Sequence, residues 1–300
     1  MDRIVSYQNG NYTVYIDTTN GTKIRENDLD FFRADFPESM DIKITNRCNM
    51  NCVQCHENST CDGKHGDILS ESFIDKLHPY TELAIGGGNP LEHPDLIPFL
   101  EKCKALKLIP SMTVHQVHFE EHFALIKWLV DNNLIYGVGI SMVKGDSEFI
   151  EKVKQIPNAV IHVINGMTAA VEELQRIAHN DLKILILGYK EFRRGQTHYK
   201  EHGVSIDFRK EKLYNMLPTI IESGWFDVVS FDNLAIEQLD VKRLMSEDAW
   251  NEFYLGGDGS HTMYVDMVER RFAKCSTAVE RYPLMDNIVD MFNVIRTDEK

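Results

Sequence analysis

Several absences narrow the class of this protein first. No apolar run approaches the ~18–20 residues that cross a bilayer. The start, Met1-Asp2-Arg3-Ile4-Val5-Ser6, has no basic end followed by an apolar stretch, so no signal peptide is read there. The expectation is a cytoplasmic protein with no membrane partner. Positive charge is scarce: 32 Lys and Arg against 46 Asp and Glu leave a net charge of −14, which disfavours attraction to nucleic-acid phosphate. Cysteine is scarce as well. Six in 300 residues are too sparse for a secreted disulfide scaffold. The rest is ordinary globular composition, 43% hydrophobic and 26% charged, in a chain long enough for one large α/β domain or two smaller ones.

The first 25 residues read as a small antiparallel sheet. Ile4 to Gln8, Tyr12 to Asp17 and Thr22 to Arg25 are rich in β-branched and aromatic residues, and Asn9-Gly10 and Asn20-Gly21 separate them as hairpin turns. An irregular acidic link follows. Strand and helix then alternate, with short apolar strands at Asp41–Thr45, Glu82–Ile85, Ile109–Val114, Tyr136–Met142, Ala159–Ile164, Lys183–Leu187 and Phe226–Phe231. Phe119, Phe123, Ile126 and Val130 mark one intervening helix, Val171, Leu174 and Ile177 a second, and Asp207 to Glu222 a third. Such alternation implies parallel βαβ units, and six or seven in a row point to a closed or partial barrel. Near the end, Thr262–Arg270 alternates partly, and Asn287–Val294 fits strand or helix.

Three of the six cysteines fall within eight positions, as Cys48-Asn-Met-Asn-Cys52-Val-Gln-Cys55 directly after the strand Asp41–Thr45. Loops after strands form the active face of α/β barrels. Three soft thiolates in one short loop argue for a metal centre. Structural zinc commonly wants two separated pairs of ligands, and no second pair exists. Cys52-Val53-Gln54-Cys55-His56 matches a c-type haem motif but leaves Cys48 without a role. A four-cysteine iron–sulfur electron carrier is a third reading, with Cys61 as the fourth ligand. The fourth is a cluster held by three cysteines with one iron left open, as catalytic metal sites leave a position free.

The spacing C-x-x-x-C-x-x-C resembles the signature of the radical SAM enzymes. A second match follows the second strand, where that family has a Gly-Gly-Glu-Pro type loop and this chain has Gly86-Gly87-Gly88-Asn89-Pro90. The resemblance spans roughly residues 40 to 235. It implies a partial (β/α)6-type TIM barrel there, an N-terminal antiparallel β-hairpin element over 1–39, and a C-terminal extension over 236–300 packing on the barrel. Cys48, Cys52 and Cys55 would bind a 4Fe-4S cluster, and Gly86, Gly87, Gly88 and Asn89 the methionine end of S-adenosylmethionine. The cluster reductively cleaves that cofactor to a 5′-deoxyadenosyl radical, which takes hydrogen from a substrate. A low-potential donor such as flavodoxin or ferredoxin is implied. The chain departs from the family pattern twice. Asn89 replaces the usual glutamate and loses its charge assistance, and Gln54 replaces the usual aromatic residue before the third cysteine.

The resemblance also directs attention to other strand ends. Ser141 ends the fourth strand, where ribose is often bound; Asn165 and Gly166 end the fifth; Gly188 and Tyr189 end the sixth, near adenine; Thr113 and His115 end the third. Each also reads as an ordinary strand end or turn. Asp232 is a candidate catalytic acid or base and equally a helix cap. Cys275 and Cys61 are candidate hydrogen-atom donors, although a lone cysteine is usually a small buried hydrophobe, as Cys103 is expected to be. His118-Phe119-Glu120-Glu121-His122 imitates an inverted zinc-protease motif without an identifiable third ligand. Relatives with extra clusters carry a cysteine-rich C-terminal extension, whereas from residue 104 onward this sequence has only Cys275. No such auxiliary domain is expected, which weighs against sulfur insertion and extended-type peptide maturation, and the resemblance implies a small-molecule or peptide substrate.

Overall fold

The computed structural model describes residues 3–297 except Asp30 and Leu255. Three strands, β1 (Ile4–Asn9), β2 (Tyr12–Asp17) and β3 (Lys23–Glu26), form an antiparallel sheet in the order β1-β2-β3. A buried charged cluster ties it to the rest of the chain. Glu38 accepts from Arg25 Nε at 2.8 Å and from the Tyr12 hydroxyl at 2.5 Å, and Lys23 bridges Glu38 (3.2 Å) and Glu82 (2.6 Å). Burial alone would raise the Glu38 carboxyl; Lys23 and Arg25 instead hold it down to about 2.

The larger part is a mixed α/β fold built on a ten-stranded sheet. It begins with β4 (Ser39–Thr45), β5 (Glu82–Gly87), α1 (Leu96–Ala105), β6 (Ile109–His115), α2 (Gln116–Glu121), α3 (Phe123–Asp131) and β7 (Gly137–Ser141). It continues with α4 (Ser147–Val153), β8 (Ala159–Ile164), α5 (Val171–Ile177), β9 (Lys183–Leu187), α6 (Arg194–Glu222), β10 (Val228–Phe231), α7 (Asn233–Leu239) and α8 (Glu247–Phe253). Last come β11 (Thr262–Asp266), β12 (Arg271–Ala273), β13 (Tyr282–Pro283) and α9 (Ile288–Ile295). The sheet order is β10-β9-β8-β7-β6-β5-β4-β11-β12-β13, parallel from β10 to β11 and antiparallel beyond.

All seven strands expected between residues 41 and 231 are present, while three details differ from the sequence reading. The apolar helix face from Phe119 to Val130 is divided between α2 and α3 at His122. The long helix starts at Arg194 rather than Asp207. Thr262–Asp266 joins the main sheet beside β4, parallel to it, and Asn287–Val294 lies largely in a helix. No helix among the described residues is long and apolar enough to cross a membrane.

Along the parallel strands, side chains alternate between two faces. Met40, Ile42 and Ile44 of β4, Leu83 and Ile85 of β5, and Met112 and Val114 of β6 are buried in one apolar core. The intervening positions are small or polar: Asp41 and Lys43, Ala84 and Gly86, Ser111 and Thr113. A parallel strand is usually apolar on both faces, so this second face leaves space rather than core.

Candidate active site

The small, polar face encloses a cavity of about 700 Å³. Its lining draws on Asp41 and Lys43 of β4, Ser230 of β10 and Tyr264 of β11, so the sheet curls around it. Pockets of this size suit a cofactor-sized ligand.

Cys48, Cys52 and Cys55 all line this cavity. Their loop leaves the end of β4 and closes on itself: Cys48 N donates to Thr60 O (2.8 Å) and Thr60 N to Asn46 O (3.1 Å). Asn51 and Asn58 take positive φ of 49° and 53°, a conformation asparagine tolerates well. The start of α6 grips the loop from outside. Arg194 donates to Asn51 Oδ1 (2.6 Å) and to the Ser59 carbonyl, and Arg193 to the Glu57 carbonyl (2.9 Å). Burial raises the Cys48 and Cys52 thiols, Cys55 adds to this, and Arg194 opposes it.

Among the described residues, no three His, Cys, Asp or Glu side chains converge as one metal ion would require. A polynuclear cluster makes no such demand, because each cysteine binds its own iron. Three half-buried thiols on one cavity, with open space beside them, fit a cluster better than a zinc ion.

That open space lies at the glycines. Gly86, Gly87 and Gly88 line the cavity, and a Cβ on Gly86 would meet no atom within 4 Å. Gly87 and Gly88 instead press against the cysteine loop, with Gly88 N donating to Thr45 O and Asn89 N to Arg47 O, each at 2.7 Å. Asn89 does not line the cavity. Its side chain is buried and caps the following turn, accepting from Leu91 N (3.2 Å) and donating to Glu92 (3.3 Å).

Thr113, His115, Ser141, Gly188, Tyr189 and Asp232 also line the cavity. Two of them have structural partners there: His115 caps α2 through Val117 N (3.2 Å), and Asp232 Oδ1 accepts from Gly188 N and Ala235 N, both at 2.8 Å. Asn165, Gly166, Cys61 and Cys275 are not among the lining residues. Asn165 is buried, with its amide on Gln238 (3.1 Å); Cys61 is exposed; Cys275 contacts Thr277. Cys103 is core, as expected. The histidine pair of the protease-like motif diverges: His118 is buried against Asn49 (2.7 Å), and His122 is exposed beyond the end of α2.

Sequence reasoning missed the charged floor and rear wall. Lys43 pairs with Glu57 (3.0 Å) and Asp266 (3.1 Å), and Tyr264 donates to Glu57 (3.0 Å). Burial and the Glu57 charge raise the Tyr264 phenol. His56, His162, Lys190 and Asp41 complete the polar lining. Burial, reinforced by Lys190, pushes His162 down to about 4 and His56 well below its usual value. A signal was present: Asp41 and Lys43 put charges at alternate positions in a strand that otherwise reads as core.

The fold has solved counterparts. Streptococcus suis SuiB bound to its precursor peptide SuiA superposes with a TM-score of 0.62 at 13% identity, over 97% of this chain and 87% of that one. SuiB bound to S-adenosylmethionine gives 0.61 at 12% identity, over 98% and 87%. The chain has the SuiB fold. At this identity the likeness to SuiB is one of fold alone. No family model matches the sequence, and neither does any curated protein.

Proposed function

We propose that this protein is a radical SAM enzyme, its parallel strands forming a partial (β/α)6-type barrel over residues 40–235, with the segment 1–39 packed on it and the segment 236–300 extending its sheet through Thr262–Asp266 beside β4. One observation carries the reading: three thiols spaced C-x-x-x-C-x-x-C and a Gly-Gly-Gly strip line the same cavity at the end of the first two barrel strands. The fold shared with SuiB, which has been solved with S-adenosylmethionine, supports it.

In this reading Cys48, Cys52 and Cys55 hold a 4Fe-4S cluster, and the strip from Gly86 to Gly88 lets S-adenosylmethionine approach it closely. Together, when bound, these groups supply a 5′-deoxyadenosyl radical that removes a hydrogen atom from substrate. The chain's own residues hold and screen. Arg193 and Arg194 fix the cysteine loop, and Ser141 and Thr113 offer hydroxyls to the cofactor. Asp232, already anchored through Oδ1, keeps Oδ2 for a substrate or cofactor group. A cytoplasmic flavodoxin or ferredoxin would supply the electron.

Anaerobic reconstitution tests this. The expected result is about four iron and four sulfide per chain, a cluster spectrum altered by S-adenosylmethionine, and 5′-deoxyadenosine after reduction. Cys48→Ala loses the cluster and Cys61→Ala keeps it. A protein without iron and sulfide, or a cluster that survives Cys48→Ala, overturns the reading.

A further inference from the structure

Among the described residues, the cavity wall contains two opposite charges, one acid and one base, that have neither an ion pair nor a backbone anchor. Asp41 lies one tier deeper than the glycine strip, in register with Ala84, which is in register with Ser111 and that in turn with Gly137. Lys190 enters from the loop after β9. Both line the cavity. The other charges there are already engaged: Lys43 has Glu57 and Asp266, and Asp232 has two backbone amides. Among the described residues, the Asp41 side chain has no hydrogen-bond or ion-pair partner, and the Lys190 ammonium makes no ion pair and donates only to Ser276 Oγ at 3.1 Å.

The two charges feel each other without touching. Burial raises the Asp41 carboxyl and Lys190 is the main influence opposing it, yet their charged atoms lie beyond 4 Å. Asp41 is exposed to the cavity and Lys190 half-buried beside it, so each presents an uncompensated charge to whatever enters. A ligand that brings an ammonium to Asp41 and a carboxylate to Lys190 makes a charge-assisted contact at each end. The neighbouring wall, Ala84, Ser111 and Gly137, is small enough to leave room for a side chain.

We infer that Asp41 and Lys190 form the substrate subsite of this cavity, and that it takes a small zwitterion of the α-amino acid class. The inference rests on the radical SAM reading, since it assigns the wall left over once thiols and glycines hold the cofactor. A dianionic phosphate ester would set its charge against Asp41 and Asp232, and an internal residue of a peptide has neither charged end.

The experiment is a thermal-shift titration of the cluster-reconstituted protein saturated with S-adenosylmethionine. The probes are the twenty free α-amino acids, the matching decarboxylated amines and deaminated acids, and the N-acetyl amides. At least one free amino acid is expected to raise the melting temperature, with its amine, acid and blocked form each weaker by about tenfold or more, the scale of one lost charge-assisted contact. Lys190→Gln makes the amine as good as the amino acid, and Asp41→Asn makes the acid as good. Both variants still respond to S-adenosylmethionine. Three results overturn the inference: no amino acid binds, the N-acetyl amide binds as well as the free form, or the variants lose S-adenosylmethionine binding in parallel, which would assign the pair to the cofactor. Formation of 5′-deoxyadenosine reports separately on the radical SAM reading. Cofactor cleavage without amino acid binding sinks only the subsite, and amino acid binding without cluster or cleavage sinks only the reaction.

Discussion

Alanine at each glycine of the strip makes the geometry quantitative. A Cβ on Gly88 would lie 2.1 Å from the Arg47 carbonyl oxygen and 2.7 Å from its carbon. Contacts under 3.0 Å are not kept, so the backbone of Arg47, one residue before Cys48, must move. A Cβ on Gly87 would lie 2.3 Å from Thr45 O, and its φ of +115° is one that alanine adopts only under strain. On Gly86 the same atom meets nothing within 4 Å. Overpacking costs about 1–3 kcal/mol, and backbone strain adds about 1–3 kcal/mol. At about 2–4 °C per kcal/mol for a domain somewhat smaller than this chain, Gly88→Ala should lower Tm by several degrees and Gly87→Ala by more. Gly86→Ala should stay within about 0.5 kcal/mol, as an unobstructed substitution does. Thermal melts and iron content measured on the three variants separate the effects. Gly87→Ala and Gly88→Ala lose iron because the cysteine loop shifts; Gly86→Ala keeps iron and weakens S-adenosylmethionine binding. Equal melting and iron content for Gly88→Ala and Gly86→Ala would refute the packing argument.

Three further outcomes follow from single contacts. Lys43→Met leaves Glu57 and Asp266 buried without their closest cation, the guanidinium groups of Arg193 (3.6 Å) and Arg281 (3.8 Å) lying farther off, and should cost about 3–5 kcal/mol in urea denaturation, part of it recovered by adding Glu57→Gln. His261 is buried against Tyr12 (3.2 Å), and burial holds its pKa at about 4. The unfolded chain binds that proton near pH 6.5 and the folded one does not. Stability should therefore fall as pH drops from about 6.5 towards 4, by about 3 kcal/mol for this group, and His261→Gln should flatten the slope. Arg194→Ala removes the bonds to Asn51 and the Ser59 carbonyl, so a chelator should strip iron faster while Tm changes little.

The strands were legible because each parallel strand carries its own apolar alternation, and the cysteine loop because its signature is local in the chain. What escaped was non-local. Thr262–Asp266 is a weak strand by composition and becomes sheet by pairing with Ser39–Lys43, more than 200 residues earlier. The first half of α6 is polar and has no apolar period; its arginines grip the cysteine loop, an attachment invisible in its own sequence. Asn89 was read as a weakened cofactor ligand, but its amide is committed to the turn it caps. Asp41 and Lys43 escaped because a charged residue inside a parallel strand makes sense only once the strand is known to face a cavity.

Glu57 shows why the site depends on the whole chain. Two residues after Cys55, it is met by Lys43 from β4, by Tyr264 from β11 and by Arg193 from the start of α6. Lys43 is in turn shared with Asp266, whose Oδ1 accepts from Val268 N and Glu269 N and so fixes the turn after β11. The cysteine loop is therefore braced from three directions that are far apart in sequence, and such bracing holds ligands in place before the metal arrives. The half-buried Cys48 and Cys52 thiols, raised above their usual pKa, must lose protons to bind iron, which couples loading to pH and to the positive charge that Arg194 brings. A chain ended at residue 235 would keep all three cysteines and both arginines. It would nevertheless expose the edge of β4, remove Tyr264 and Asp266 from around Glu57, and leave Lys43 with half its counter-charge. Such a chain should take up iron poorly even though every ligand is present, and uptake equal to that of the full chain would show that the brace from β11 is dispensable.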